Sequence, residues 1–302
     1  MVHLPRPEGP LPEDFAPTRR GLAGLLFAGY ALAGASAEAE PITTPTDGLF
    51  AREVEIPSFD GFRLPAYVAM PAKARRRPVV MVVSEVFGLH EYIRDVCRRL
   101  AKAGYVAIAP AFFVRAGDPA PIQDFAKVRE IVAKASNAQV LGDIDATLDW
   151  LEDQPDLGPG APKRYADMRK VGITGFCWGG AVTWMAAAHD SRIKAGVAWY
   201  GRLTKPAAGQ FLGDEDRPWP IDVADDLNGP VLGLYAGEDA GIPLADVEKM
   251  RAALKASGDR KSEIVVYLKA KHGFHADYRA AYDKAAAEDG WARLLAWFKR
   301  YL

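Results

Sequence analysis

Cysteine is scarce in this 302-residue chain: only Cys97 and Cys177 occur. That excludes a disulfide framework and a cysteine-rich zinc site, although counting alone leaves a bridge between the two open. An excess of either charge is also missing. Lys and Arg number 38 against 39 Asp and Glu, a net charge of −1, so neither nucleic acid nor an anionic membrane surface would be steered toward the protein. Long apolar runs are lacking too. The best candidate, "GLAGLLFAGYALAG", is diluted by glycine and falls short of the ~20 apolar residues that span a bilayer, so no permanent membrane anchor is expected. There is no internal repeat, and no linker after residue 50. What remains, 49% hydrophobic and 25% charged residues, is the composition of a soluble globular enzyme, and one large α/β domain accommodates the length.

The N-terminus departs from this pattern. "PTRRGLAGLLFAGYALAGASAEAEP" carries Arg19 and Arg20, a weakly apolar stretch, then small residues at Ala35-Ser36-Ala37. This is the layout of a secretory signal, and the paired arginines point to the twin-arginine route. The expectation is a leader and linker over residues 1–47, a periplasmic protein, and a single domain over 48–302. The alternative is a surface extension on a cytoplasmic protein.

From about residue 52 regular elements follow. "REVEIPS" and "FRLPAYVAM" flank Asp60-Gly61 as a hairpin would. Val79 to Val83 form a continuous apolar run, a strand buried on both faces. Ile93, Val96, Cys97 and Leu100 then recur at helical spacing with arginines outside, which makes Cys97 a buried small hydrophobe. "YVAIAP", "KVGITG", "IKAGVAWYG", "PVLGLYAGED" and "EIVVYL" read as further strands. Helices are predicted over 138–153, directly after "GFC", over 245–257, and over the closing "GWARLLAWFKRYL". Strands alternating with helices behind a leading antiparallel hairpin predict an α/β fold with a doubly wound, mostly parallel sheet.

The chemistry centres on "GFCWGG", residues 175–180. A nucleophile on a sharp strand-to-helix turn needs small neighbours so that its side chain stands clear. Gly175 and Gly179 flank Cys177 at two residues either side, and Gly180 adds room. The helix that starts at Trp178 aims its amides and dipole at the sulfur, which favours thiolate. In such a fold an acid and a histidine follow on later loops. Asp239 lies past one strand, with Glu238 as competitor; His272 lies past the last, with His275 as competitor. His272-x-x-His275 could also be a metal pair, but it lacks the i, i+4 spacing and an acidic partner stretch, so no metal is expected. Glu85, directly after five apolar residues, would be costly to bury without a partner. The loop it opens is where an oxyanion hole would form from the backbone amides of Val86 and Trp178.

At these residues the chain, from about residue 48 onward, resembles the dienelactone hydrolases of the α/β-hydrolase superfamily. "SEVFGLHEYIRDVCRRLAKAGYVAIAP", "GITGFCWGG", "LYAGEDAGIP" and "HGFHADYR" carry the resemblance. It implies the α/β-hydrolase fold and a cofactor-free, carboxymethylenebutenolidase-like hydrolase of lactones or small carboxylic esters. Its catalytic residues would be Cys177, Asp239 and His272, with Glu85 taking part in activating the nucleophile. The family holds the substrate carboxylate with arginines, one of them four residues after the histidine. That position here is Ala276, which leaves Arg279 and Arg115 as substrate-binding candidates and makes ester or lactone hydrolysis the expectation rather than an anionic lactone. The alternatives are a broad-specificity carboxylesterase and, from another class, a binding or redox-sensing protein with a reactive cysteine. An acid and a histidine in the expected order speak against the sensor. The expected partner is a small-molecule ester or lactone, and the expected state a monomer or small homo-oligomer.

Overall fold

In the β3 strand, Arg77–Val83, side chains alternate between two hydrophobic cores. Val79, Met81 and Val83 enter one; Val80 and Val82 enter the other. That alternation on a doubly buried strand is why the run reads as continuously apolar. The computed structural model describes residues 41–213 and 217–302. The expected leader, apart from residues 41–47, lies outside the described residues. Among them, no helix is long and apolar enough to cross a membrane.

The hairpin forms as expected. β1 (Leu49–Pro57) and β2 (Arg63–Pro71) pair antiparallel from Leu49↔Pro71 to Pro57↔Arg63. After β3 come α1 (Glu91–Lys102), β4 (Val106–Pro110), α2 (Phe125–Val132), α3 (Asn137–Glu152), β5 (Ala166–Phe176), α4 (Trp178–His189), β6 (Ile193–Trp199), β7 (Val231–Ala236), α5 (Leu244–Ala256), β8 (Glu263–Tyr267) and α6 (Lys284–Tyr301). The sheet runs β1-β2-β4-β3-β5-β6-β7-β8. It is parallel from β4 through β8, with β2 antiparallel to β4. Chain order reverses at β3, and in such sheets ligands bind in the crevice beyond the carboxyl ends of the strands near that reversal. Cys97 is fully buried on the apolar face of α1, and both cysteines are free thiols.

The structure departs from the predicted elements in four places. α2 was not predicted, because only Val128 and Val132 are buried and its start depends on a cap, Asp124 accepting from the Ala126 N–H at 3.0 Å. β5 begins at Ala166 rather than Lys170, pairing Ala166 and Asp167 with Arg77 and Pro78 ahead of a register shift. α6 begins at Lys284 rather than Gly290; its alanine-rich first turns lack periodicity, and Asp283 caps them through the Ala286 N–H at 3.1 Å. Finally, the ordered body reaches back before residue 48. The Thr44 N–H donates to Asp95 Oδ1 at 2.5 Å, and Lys102 Nζ donates to the Asp47 carbonyl at 2.6 Å.

Candidate active site

Cys177 links β5 to α4 with φ 54° and ψ −115°, a left-handed conformation that non-glycine residues adopt only where the surroundings enforce it. The enforcement is close packing. A Cβ on Gly175 would strike the Gly179 carbonyl; one on Gly179 would strike the Val83 and Ser84 carbonyls; one on Gly180 would meet the Trp199 carbonyl. Only glycine therefore lets α4 press onto β3, β5 and β6 at this point. The Cys177 N–H is tied to the Trp199 carbonyl at 3.0 Å, and its own carbonyl accepts from Gly180 at 3.0 Å. Cys177 is half-buried, whereas α4 behind it is buried from Trp178 to Ala187.

His272 and Asp239 meet beside the sulfur. His272 Nδ1 lies 2.7 Å from Asp239 Oδ2. The other oxygen, Oδ1, accepts from the amides of Gly241 at 2.8 Å and Ile242 at 3.1 Å. Asp239 is thus fixed as an acceptor, which sets the imidazole orientation. Burial pushes the His272 pKa down, but the charges of Asp239 and Cys177, with the hydrogen bond that the ring donates to Asp239, outweigh it and raise the pKa to about 10. The competing residues go elsewhere. Glu238 is exposed. His275 is buried, with Nδ1 2.6 Å from Tyr92 Oη and its ring against Phe176, Trp199 and Trp291. Burial, then the Arg99 charge, push its pKa well below the ordinary value, so it is a neutral packing residue. The two histidines are oriented by different partners, and no group of three or more His, Cys, Asp or Glu side chains among the described residues is arranged to hold a metal ion.

Glu85 is fully buried. Tyr278 Oη donates to its Oε2 at 2.6 Å, and Arg279 Nη1 lies 3.6 Å from Oε1. Val86 and Trp178 both line a pocket with Cys177 and His272, and neither amide donates to another acceptor among the described residues. This cavity, about 70 Å³, is walled by Phe125 of α2, by Phe211, Leu212 and Trp219 of the segment after β6, and by Ala181, Tyr200 and Ile242.

Neither arginine candidate lines this pocket. Arg115 donates to Asp60 at 2.8 Å and to Asp143 at 2.6 Å and covers the Phe62 ring. It pins the hairpin turn to α3, and the buried Asp143 holds it there. Arg279 is buried against Glu85 and the Phe87 ring. The arginines that line the pocket are instead Arg202 and Arg217, which the sequence reading missed. Arg217 donates to Asn137 Oδ1 at 2.9 Å and stacks on Trp219. Arg202 is half-buried and forms no salt bridge or side-chain hydrogen bond among the described residues. One signal was available for Arg202: it directly follows the strand that neighbours the Cys177 strand, at its carboxyl end.

Comparison with known proteins agrees with the fold. The model of the dienelactone hydrolase family matches residues 64–302. A carboxymethylenebutenolidase-like protein of Methylorubrum extorquens is 46% identical over 285 residues, covering 94% of this chain and 92% of its own. The crystal structure of a dienelactone hydrolase-like protein from Klebsiella pneumoniae is 46% identical, with a TM-score of 0.75 over 84% of this chain and 99% of that one. A dienelactone hydrolase-like phosphotriesterase from metagenomic libraries shares the fold at 22% identity, with a TM-score of 0.63 over 84% of this chain and 99% of that one.

The raised pKa of His272 gives a stability prediction with a definite sign. A group whose folded pKa lies above its unfolded value stabilises the fold fully below the unfolded pKa, and that contribution is lost as pH rises through the folded pKa. The stability gap between wild type and Asp239→Asn should therefore be full below about pH 6.5, as long as Asp239 stays ionised, and close toward pH 10. Urea melts across that range check it; a gap that widens with pH would contradict the Asp239–imidazolium pairing.

Proposed function

The chain belongs to the dienelactone hydrolase family, and within it we propose a cofactor-free hydrolase of lactones or small carboxylic esters that works through Cys177, His272 and Asp239. The observation that carries this reading is the strained Cys177 turn, φ 54°, set beside the His272–Asp239 pair. The Cys177 thiolate attacks the acyl carbon, and the carbonyl electron pair moves onto oxygen. The Val86 and Trp178 amides receive that oxyanion, each such donor being typically worth ~10²–10³ in rate. As the intermediate collapses, the C–O bond breaks and His272 Nε2 gives its proton to the departing oxygen. His272 then takes a proton from water, whose oxygen attacks the thioester; the acid leaves and the thiolate is restored. Asp239 holds the imidazole throughout. Glu85, buried next to the turn that supplies Val86, takes part in activating the sulfur when substrate enters.

The pocket lining favours a compact substrate with an apolar body. Arg202 supplies the charge that would meet a carboxylate, in place of the position that Ala276 leaves empty.

Cys177→Ala should lose at least about a thousandfold in turnover of a chromogenic ester while keeping its melting temperature, and iodoacetamide should inactivate the wild type by modifying Cys177 and not the buried Cys97. Near-wild-type turnover by Cys177→Ala would refute the nucleophile. For substrate charge, kcat/KM is compared between an acidic lactone and its methyl ester. Arg202→Met should lower the value for the acid alone, about ten- to hundredfold, as expected for one charge-assisted hydrogen bond. Equal losses on both substrates would remove Arg202 from substrate recognition.

A further inference from the structure

Two carboxylates outside the pocket, Asp95 of α1 and Asp277 of the loop after His272, have side chains only 2% exposed. Buried carboxylates persist only where donors surround them, and here the donors come from two places. Arg99 bridges the pair, its Nε donating to Asp95 Oδ2 at 2.5 Å and its Nη2 to Asp277. Arg98 Nη2 also donates to Asp95 Oδ1 at 3.0 Å, and the rest come from the short segment ahead of β1. The Thr44 N–H donates to Asp95 Oδ1 at 2.5 Å, and the Ile42 backbone lies close to the Asp277 carboxylate. The same segment accepts in return: Arg98 Nε donates to the Thr44 carbonyl at 3.0 Å, and Lys102 Nζ to that of Asp47.

Asp277 is no remote anchor. The next residue, Tyr278, makes the 2.6 Å hydrogen bond to Glu85, and Arg279 makes the longer ion pair with it. Between His272 and these residues the backbone is stitched by tight turns, Ala276 N–H to Gly273 at 2.9 Å and Arg279 N–H to Ala276 at 3.0 Å. A shift at Asp277 is therefore carried to the groups that hold Glu85.

We propose that residues 42–47 form a strap that positions the loop after His272, with Asp277 as the positioning residue through which it sets the Tyr278–Glu85 hydrogen bond. The strap lies ahead of the stretch that the family model matches, residues 64–302. The activity readout rests on the hydrolase reading above; the structural readout does not.

The test uses the full-length chain and the variants Thr44→Pro, Tyr278→Phe and their double. Thr44→Pro removes the strap's N–H donor to Asp95. It should lower kcat/KM on a chromogenic ester about tenfold, the size of one lost charge-assisted hydrogen bond, and speed amide exchange over residues 274–282. Tyr278→Phe should lower kcat/KM similarly, and the double variant should fall no further than the worse single, because both act on the same hydrogen bond. Losses that multiply would overturn the proposal. So would wild-type kcat/KM in Thr44→Pro alongside a lowered melting temperature, the signature of a strap that only stabilises. If Thr44→Pro does not fold, Asp277→Asn takes its place with the same expectations. Turnover that survives Cys177→Ala would instead overturn the hydrolase reading, and the amide exchange would then decide the strap by itself.

Discussion

The site depends on a packing constraint at one turn. α4 can lie against β3, β5 and β6 only because Gly175, Gly179 and Gly180 put no side chain where backbone carbonyls already stand. Closing the helix onto the strands this tightly forces Cys177 into the left-handed region and lifts its side chain out of a helix that is otherwise buried. The strain is of order 1–3 kcal/mol and is held by the surrounding contacts, including the Cys177 N–H bond to Trp199. Everything else in the crevice is arranged around the atom presented there: Val86 from the β3 side, His272 and Asp239 from the β7 and β8 side.

Beneath the crevice lies a second layer of polar groups that the reaction does not touch directly. Glu85 is anchored by Tyr278 and Arg279, Tyr92 by His275, and Asp277 by Arg99. In a low-dielectric interior such groups are costly singly and rigid together. This layer joins α1, the loop after β8 and the segment ahead of β1, which is how residues far from Cys177 in space and sequence bear on the loop that carries His272.

Much of this was legible in the sequence because it depends on local pattern. The alternating cores of β3, the hairpin around Asp60-Gly61 and the glycine spacing around Cys177 each follow from a short stretch read against strand or turn geometry. Asp239 and His272 were legible as positions, just past strand ends. Chain order and the family resemblance already favoured them over Glu238 and His275; where those two side chains go instead was not legible, since side-chain direction in a loop has no period. The pocket wall was not legible: Phe211, Leu212, Arg217 and Trp219 come from a segment without periodicity. Arg115 misled because sequence alone does not place Asp60 and Asp143 beside it. The strap read as linker because it is short and polar, and its contacts are mostly backbone groups that meet charged side chains of α1.

The central claim is that the strained turn presents a sulfur that becomes covalently acylated. Mass spectrometry of the intact protein, rapidly quenched in acid after mixing with an activated ester, tests it most directly. The account predicts a mass increase equal to one acyl group, mapped by peptide digestion to Cys177 and released by hydroxylamine as a thioester would be, with Cys97 unmodified. Hydrolysis of the ester with no adduct at any time point, or an acyl group on any other residue, would contradict it.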